Sequence, residues 1–169
     1  MQYHEARPLI RSGDVLAWTH RGWASWYDLQ VQAVRLFTRS EYSHVAIAWA
    51  EGGRVWVIES VTPKIRIVPL SNLIGKDGVY WLPTRKPSNA AEVEFSLSRV
   101  GTGEYSKWQA MLAFIKKLRL GRDNFWECAE FVIAARRFSG VNLGPVATPS
   151  AVVRQCQEVH GSSCTLILP

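Results

Sequence analysis

An α+β fold, a small antiparallel sheet packed by helices, is what this 169-residue sequence predicts. Three observations lead there. A block of short β-branched runs between turn residues occupies His44 to Leu82. A Gly-Gly pair, Gly52-Gly53, sits between two of those runs and reads as a hairpin turn. The C-terminal half instead carries apolar stripes at helical spacing. Strands gathered in one stretch and helices in another is the α+β pattern.

In chain order, Asp14 to Trp18 leaves the turn Ser12-Gly13 as a strand. Trp23 to Thr38 follows as a helix, with Trp26, Leu29, Ala33, Leu36 and Phe37 on its apolar side and Ser25 as its cap. His44–Trp49, Val55–Glu59, Lys64–Leu70 and Gly78–Leu82 are the next strands, and Pro83 and Pro87 end the block. Ala91 to Val100 reads as a short helix. Trp108, Met111, Leu112, Ile115 and Leu118 form a second helical stripe, decorated by Lys107, Lys116, Lys117 and Arg119 and stopped at Gly121. Phe125 to Phe138 is a further helix, ended by Ser139-Gly140. Thr148-Pro149 opens the last one, with threonine as cap and proline in the first helical position.

The length suits a single domain over residues 1–169 with a real core. A formal net charge of +6 favours anionic partners such as nucleic acid, anionic lipid or an acidic wall polymer, without choosing among them. No nucleic-acid motif accompanies the charge, which makes nucleic acid the weakest of these partners. Three cysteines, an odd number, argue against a disulfide framework, although a Cys156–Cys164 bridge stays open. No CxxC pair or close His/Cys cluster suggests a metal, and no cofactor is expected. Met1 to Ile10 has no apolar signal region, and no run approaches the roughly 20 apolar residues of a membrane span. The expectation is cytosolic synthesis, with action on a cell wall requiring phage-type or other delivery.

Cys128 falls near the predicted start of its helix, where Asn124 and Glu127 have capping-box spacing. Free N–H groups and the positive end of the dipole favour a thiolate in such a place and can serve an oxyanion. A lone helical cysteine is more often simply core. The hairpin adds a second observation. If Gly52 and Gly53 are the turn residues, paired positions sum to 105, so Ala46 faces Glu59 and His44 faces Val61. His44 and Glu59 then lie on one sheet face as diagonal neighbours, with Cα atoms about 7–8 Å apart. A glutamate there can hold an imidazole tautomer, and a thiol with an oriented imidazole is a catalytic pair. The same two residues would also make an ordinary structural ion pair, and a one-residue slip would part them.

Five segments together resemble the permuted branch of the NlpC/P60 papain-like superfamily, in particular its YiiX-like group. They are Ser12 to Leu16, Ser43 to Ile47, Val57 to Ser60, Phe125 to Val132 and Thr148 to Ser150, and the resemblance spans about Arg11 to Val153. It implies a circularly permuted papain-like fold in which His44 and Glu59 precede Cys128. It implies Cys128 as nucleophile, His44 as base and Glu59 as third member. Tyr105 falls where related proteins keep a tyrosine before the cysteine helix, as a substrate-binding candidate. Asp14 reads as structural, holding the strand entry.

Three functions follow as expectations. The leading one is hydrolysis of an amide bond in a peptide or peptidoglycan, through an acyl-enzyme on Cys128. The second is a lipid-directed hydrolase or acyltransferase, with the basic helix Ser106 to Arg122 on an anionic membrane surface. The third is a non-enzymatic binding protein with an unreactive Cys128. On the first, Glu59→Gln is a milder change than Cys128→Ala or His44→Ala, because an acceptor for the imidazole remains.

Overall fold

The computed structural model describes residues 1–19, 41–61, 64–75, 78–101 and 128–169. The helices expected over Trp23–Thr38 and around Trp108–Leu118, the cap at Asn124, and Tyr105 lie outside the described residues. Among the described residues the order is α1 (Tyr3–Ala6), β1 (Val15–Thr19), β2 (His44–Glu51), β3 (Arg54–Val61), β4 (Lys64–Pro69), a 3-10 turn (Leu70–Asn72), β5 (Gly78–Leu82), α2 (Ala90–Leu97), α3 (Cys128–Phe138), α4 (Pro149–His160) and β6 (Thr165–Ile167). The strands form one antiparallel sheet in the order β4-β3-β2-β1-β5-β6. The α+β architecture is therefore as the sequence predicts. It includes two pieces that the sequence reading does not foresee, the four-residue α1 and the three-residue β6.

Both faces of the sheet are covered. Val15, Ala17, Val45, Ile47, Ile58 and Leu82 pack with Phe131, Val132, Val152 and Val153 from α3 and α4. The alternate positions Leu16, Trp18, Ala46, Ala48, Val57 and Trp81 pack with Ala6 and Ile10 from the N-terminus. This explains why Val15 to Trp18 is an unbroken apolar run: a central strand covered on both faces needs no polar alternation. Full burial of such side chains contributes roughly 1.5–3 kcal/mol each.

The predicted hairpin is present. Gly52 and Gly53 have φ of 58° and 72°, and the ladder runs from Glu51↔Arg54 to Ile47↔Ile58, each pair summing to 105. Thr148 caps α4 by accepting from the Ala151 N–H at 3.3 Å, with Pro149 beginning the helix.

A buried ionic hub fixes the far end of α3. Arg136 Nη1 donates to both oxygens of Glu92 on α2, at 3.0 and 2.8 Å, and both residues are fully buried. Arg136 Nη2 reaches the Lys86 carbonyl, and Ser139 Oγ completes the set on Glu92. Gly13 (φ 94°) passes so close that a Cβ there would collide with Arg136 Nη1 and lie 2.7 Å from the Ser88 nitrogen. Next to it, buried Asp14 accepts from Trp81 Nε1 at 2.8 Å, Thr84 N at 2.7 Å and Arg11 N at 2.9 Å. Asp14 thus closes the entry to β1.

Candidate functional site

The β2–β3 ladder stops at Ile47↔Ile58, so the expected pairings Ala46↔Glu59 and His44↔Val61 are not part of it. Glu59 instead pairs across β3–β4 with Arg66. Where the ladder has ended, side chains take over. His44 Nε2 and Glu59 Oε2 are 2.7 Å apart. The two residues meet as expected, joined by this hydrogen bond beyond the end of the strand pairing.

On its other side the imidazole interacts with Cys128, the first described residue of α3, whose thiol is among the groups that raise the His44 pKa. With Nε2 on Glu59, Nδ1 is the ring nitrogen left for sulfur. Trp18, the cross-strand partner of His44, lies against the ring with centroids 5.3 Å apart and planes tilted by 49°. It walls one side of the imidazole with apolar surface.

The electrostatics follow from these contacts. Burial alone would lower the His44 pKa, but hydrogen bonds to Cys128 and Glu59 outweigh it and push it up to about 10. Burial would raise the Glu59 carboxyl. Hydrogen bonds and charge from His44, then Arg66, outweigh that and hold it below its ordinary value. Glu59 is only 3% exposed, so the two cationic partners are what allow it to remain ionised there.

Arg66 is the residue that sequence reasoning missed. Its Nε donates to Glu59 Oε1 at 2.8 Å, and its Nη2 lies 2.7 Å from the same oxygen. The signal was present: Val61 pairs with Lys64 across Thr62-Pro63, and extending that register sets Glu59 opposite Arg66.

The other two cysteines differ from Cys128. All three are free thiols, so the Cys156–Cys164 bridge is not formed. Cys156 is fully buried, and burial pushes its pKa up to about 12. Cys164 sits 3.3 Å from the Tyr42 hydroxyl, and its pKa is raised, chiefly by burial.

Among the described residues no helix is long and apolar enough to cross a membrane. No group of three or more His, Cys, Asp or Glu side chains among them could hold a metal ion, and both Glu59 oxygens are already engaged by Arg66 and His44.

No family model matches the chain, and neither does any curated protein sequence. A solved structure does. The crystal structure of metalloprotein YiiX from Escherichia coli O157:H7 aligns with a TM-score of 0.57 at 17% identity, covering 92% of this chain and 88% of that one. At that identity the likeness speaks to backbone architecture alone, and it shows that this chain has a YiiX-like fold.

Proposed function

We propose that the protein is a cysteine hydrolase of circularly permuted papain-like architecture that cleaves an amide bond in a peptide or peptidoglycan. The observation that carries this reading is the imidazole of His44, hydrogen-bonded to the Glu59 carboxylate at 2.7 Å and interacting with the Cys128 thiol on its other side. A nucleophile, a base within hydrogen-bond reach and a third group orienting that base are the parts of an acyl-transfer unit. His44 and Glu59 come from consecutive strands and Cys128 from a later helix, the order that permutation of the cysteine helix would produce.

In this mechanism the thiol proton has passed to His44 Nδ1, as the raised His44 pKa favours, and the Cys128 thiolate attacks the carbonyl carbon. A tetrahedral intermediate forms. It collapses as His44 returns the proton to the departing amine, and the C–N bond breaks. The thioester then accepts water, activated by the same imidazole, and releases the acid and the thiol. Glu59 keeps the ring proton on Nε2 and steadies the imidazolium between steps. The positive net charge suits an anionic substrate such as a wall peptide.

The test combines iodoacetamide labelling, read by mass spectrometry, with product analysis on small peptide and muropeptide amides. The reading expects Cys128 to be the fastest-labelled thiol and a free acid to be the product. A folded Cys128→Ala protein that still turns over a verified substrate would overturn it. Turnover only with an acyl acceptor present would assign the acyltransferase chemistry instead.

A further inference from the structure

Resting on that reading, the geometry points to Arg66 as a positioning residue of the catalytic unit: its guanidinium takes one oxygen of Glu59 and so leaves the other, correctly aimed, for His44. Three observations carry it. First, the carboxylate is divided between its partners, with Arg66 Nε donating to Oε1, Nη2 in ionic contact with the same oxygen, and the imidazole on Oε2. Second, the contact is built into the backbone, because Glu59 and Arg66 are direct cross-strand partners in β3–β4 while the β2–β3 ladder has already ended. Strand pairing to β2 therefore does not fix the Glu59 side chain at this level; pairing to β4 does. Third, the charge balance is asymmetric. Glu59 is buried, whereas Arg66 is 46% exposed, so the arginine keeps part of its hydration while holding a carboxylate that has nearly none.

The consequence is a chain of orientation running from β4 to sulfur. Arg66 selects the oxygen and rotamer of Glu59. Glu59 selects the His44 tautomer, and His44 presents Nδ1 to Cys128. Among the described residues the charged groups against Glu59 are His44 from β2 and Arg66 from β4, with Cys128 from α3 on the far side of the imidazole. The side-chain contacts of Arg66 among the described residues are to Glu59, so in this proposal it acts through Glu59.

The experiment compares wild type with Arg66→Met and Arg66→Lys. Two readouts need no substrate: the pH profile of Cys128 alkylation by iodoacetamide, and the Glu59 carboxyl titration by carbon-13 NMR. In Arg66→Met the carboxyl loses its cation and protonates at higher pH, so the acid limb of Cys128 alkylation moves upward. The alkylation rate at pH 6 falls by up to about tenfold for each pH unit by which that limb moves. Arg66→Lys restores part of it, since one ammonium supplies the charge without the fork. Should Arg66→Met fail to fold, Arg66→Gln reads the same shift. Unchanged Glu59 titration and alkylation profiles in a folded Arg66→Met or Arg66→Gln protein would overturn the inference. So would a variant with normal alkylation whose KM alone rises, since that marks a substrate contact. Failure of the hydrolase reading looks different: Cys128 in the wild-type protein would then be no more reactive than Cys156 or Cys164.

Discussion

Glu59→Gln tests the site most directly, because the carboxylate accepts on both oxygens and an amide cannot. A glutamine offers one accepting oxygen and one donating NH2. Arg66 carries donors only, so an NH2 turned toward it would face Nε and Nη2 at distances that are now 2.8 and 2.7 Å. His44 is adaptable, since a neutral imidazole can carry its proton on either nitrogen. Each hydrogen bond to a charged group contributes about 1.5–3 kcal/mol, and the arginine side adds to its one hydrogen bond a second close ionic contact from Nη2 that the imidazole side lacks. Arg66 is 46% exposed, so water shares its charge. Discounted for that screening, the preference is about 1.4 kcal/mol, roughly a tenfold bias placing the amide oxygen on Arg66. The NH2 then meets Nε2, which must accept, and the ring proton moves to Nδ1, facing Cys128. An imidazole in that state cannot receive the thiol proton. The expected outcome is a loss of roughly 10³–10⁴-fold in turnover, the scale of a wrong-tautomer substitution. The loss should exceed that of Glu59→Ala, which forces no tautomer, and Glu59→Gln/Arg66→Met should recover part of it because the amide is free to turn. Nitrogen-15 shifts of His44 report the tautomer without any substrate, and iodoacetamide reports the thiol. A folded Glu59→Gln protein with the proton still on Nε2 and a Cys128 alkylation rate within twofold of wild type would refute the reasoning.

Three further outcomes are expected. Cys128→Ala and His44→Ala should each abolish turnover while the protein stays folded, and the double variant should be little worse than either, because members of a catalytic unit are non-additive; circular dichroism with steady-state rates checks this. Urea titrations should show stability falling as pH rises from the ordinary histidine value of 6.5 through about 10, because a raised His44 pKa contributes below that window and is lost across it. The fall should be shallower in Cys128→Ala, which removes the largest of the contacts that raise it, and a second loss should appear on the acid side as pH drops below 4.5 toward the depressed Glu59 value. Gly13→Ala should destabilise the protein by about 3 kcal/mol or more, since it combines a left-handed backbone with a collision against Arg136, and a thermal melt would reveal it.

The sequence displayed the hairpin clearly, because Gly52-Gly53 fixes both the turn and the register, and register carries His44 toward Glu59. It did not display where the ladder would end. Strand separation past Ile47 and Ile58 depends on twist and packing from other elements, which alternation does not encode. The same blindness hid Arg66. Its partner is found only by pairing two strands across Thr62-Pro63, and without it Glu59→Gln reads as a mild change. Arg136 was harder still. In a basic last turn it looks like a solvated helix end, and its partner Glu92 lies 44 residues away, so only the assembled fold shows both to be buried. The short β6 has too few residues for any period to register.

The hub at Arg136 has a mechanical meaning for the thiol about two turns earlier on the same helix. From Cys128 to Arg136 is eight residues, about 12 Å of helix. With Arg136 held by Glu92 and the Lys86 carbonyl, and Ser139 bonded to Glu92 in turn, α3 resembles a beam clamped near its foot that carries Cys128 along its length. A tilt of about 5° at the clamp displaces Cys128 by about 1 Å, and misplacement on that scale can cost a reaction roughly a hundredfold. On the proposed reading, residues away from the thiol, Gly13 and Glu92 among them, help set the position of the sulfur. Variation at the clamp would lower stability and, on the proposed reading, activity with it.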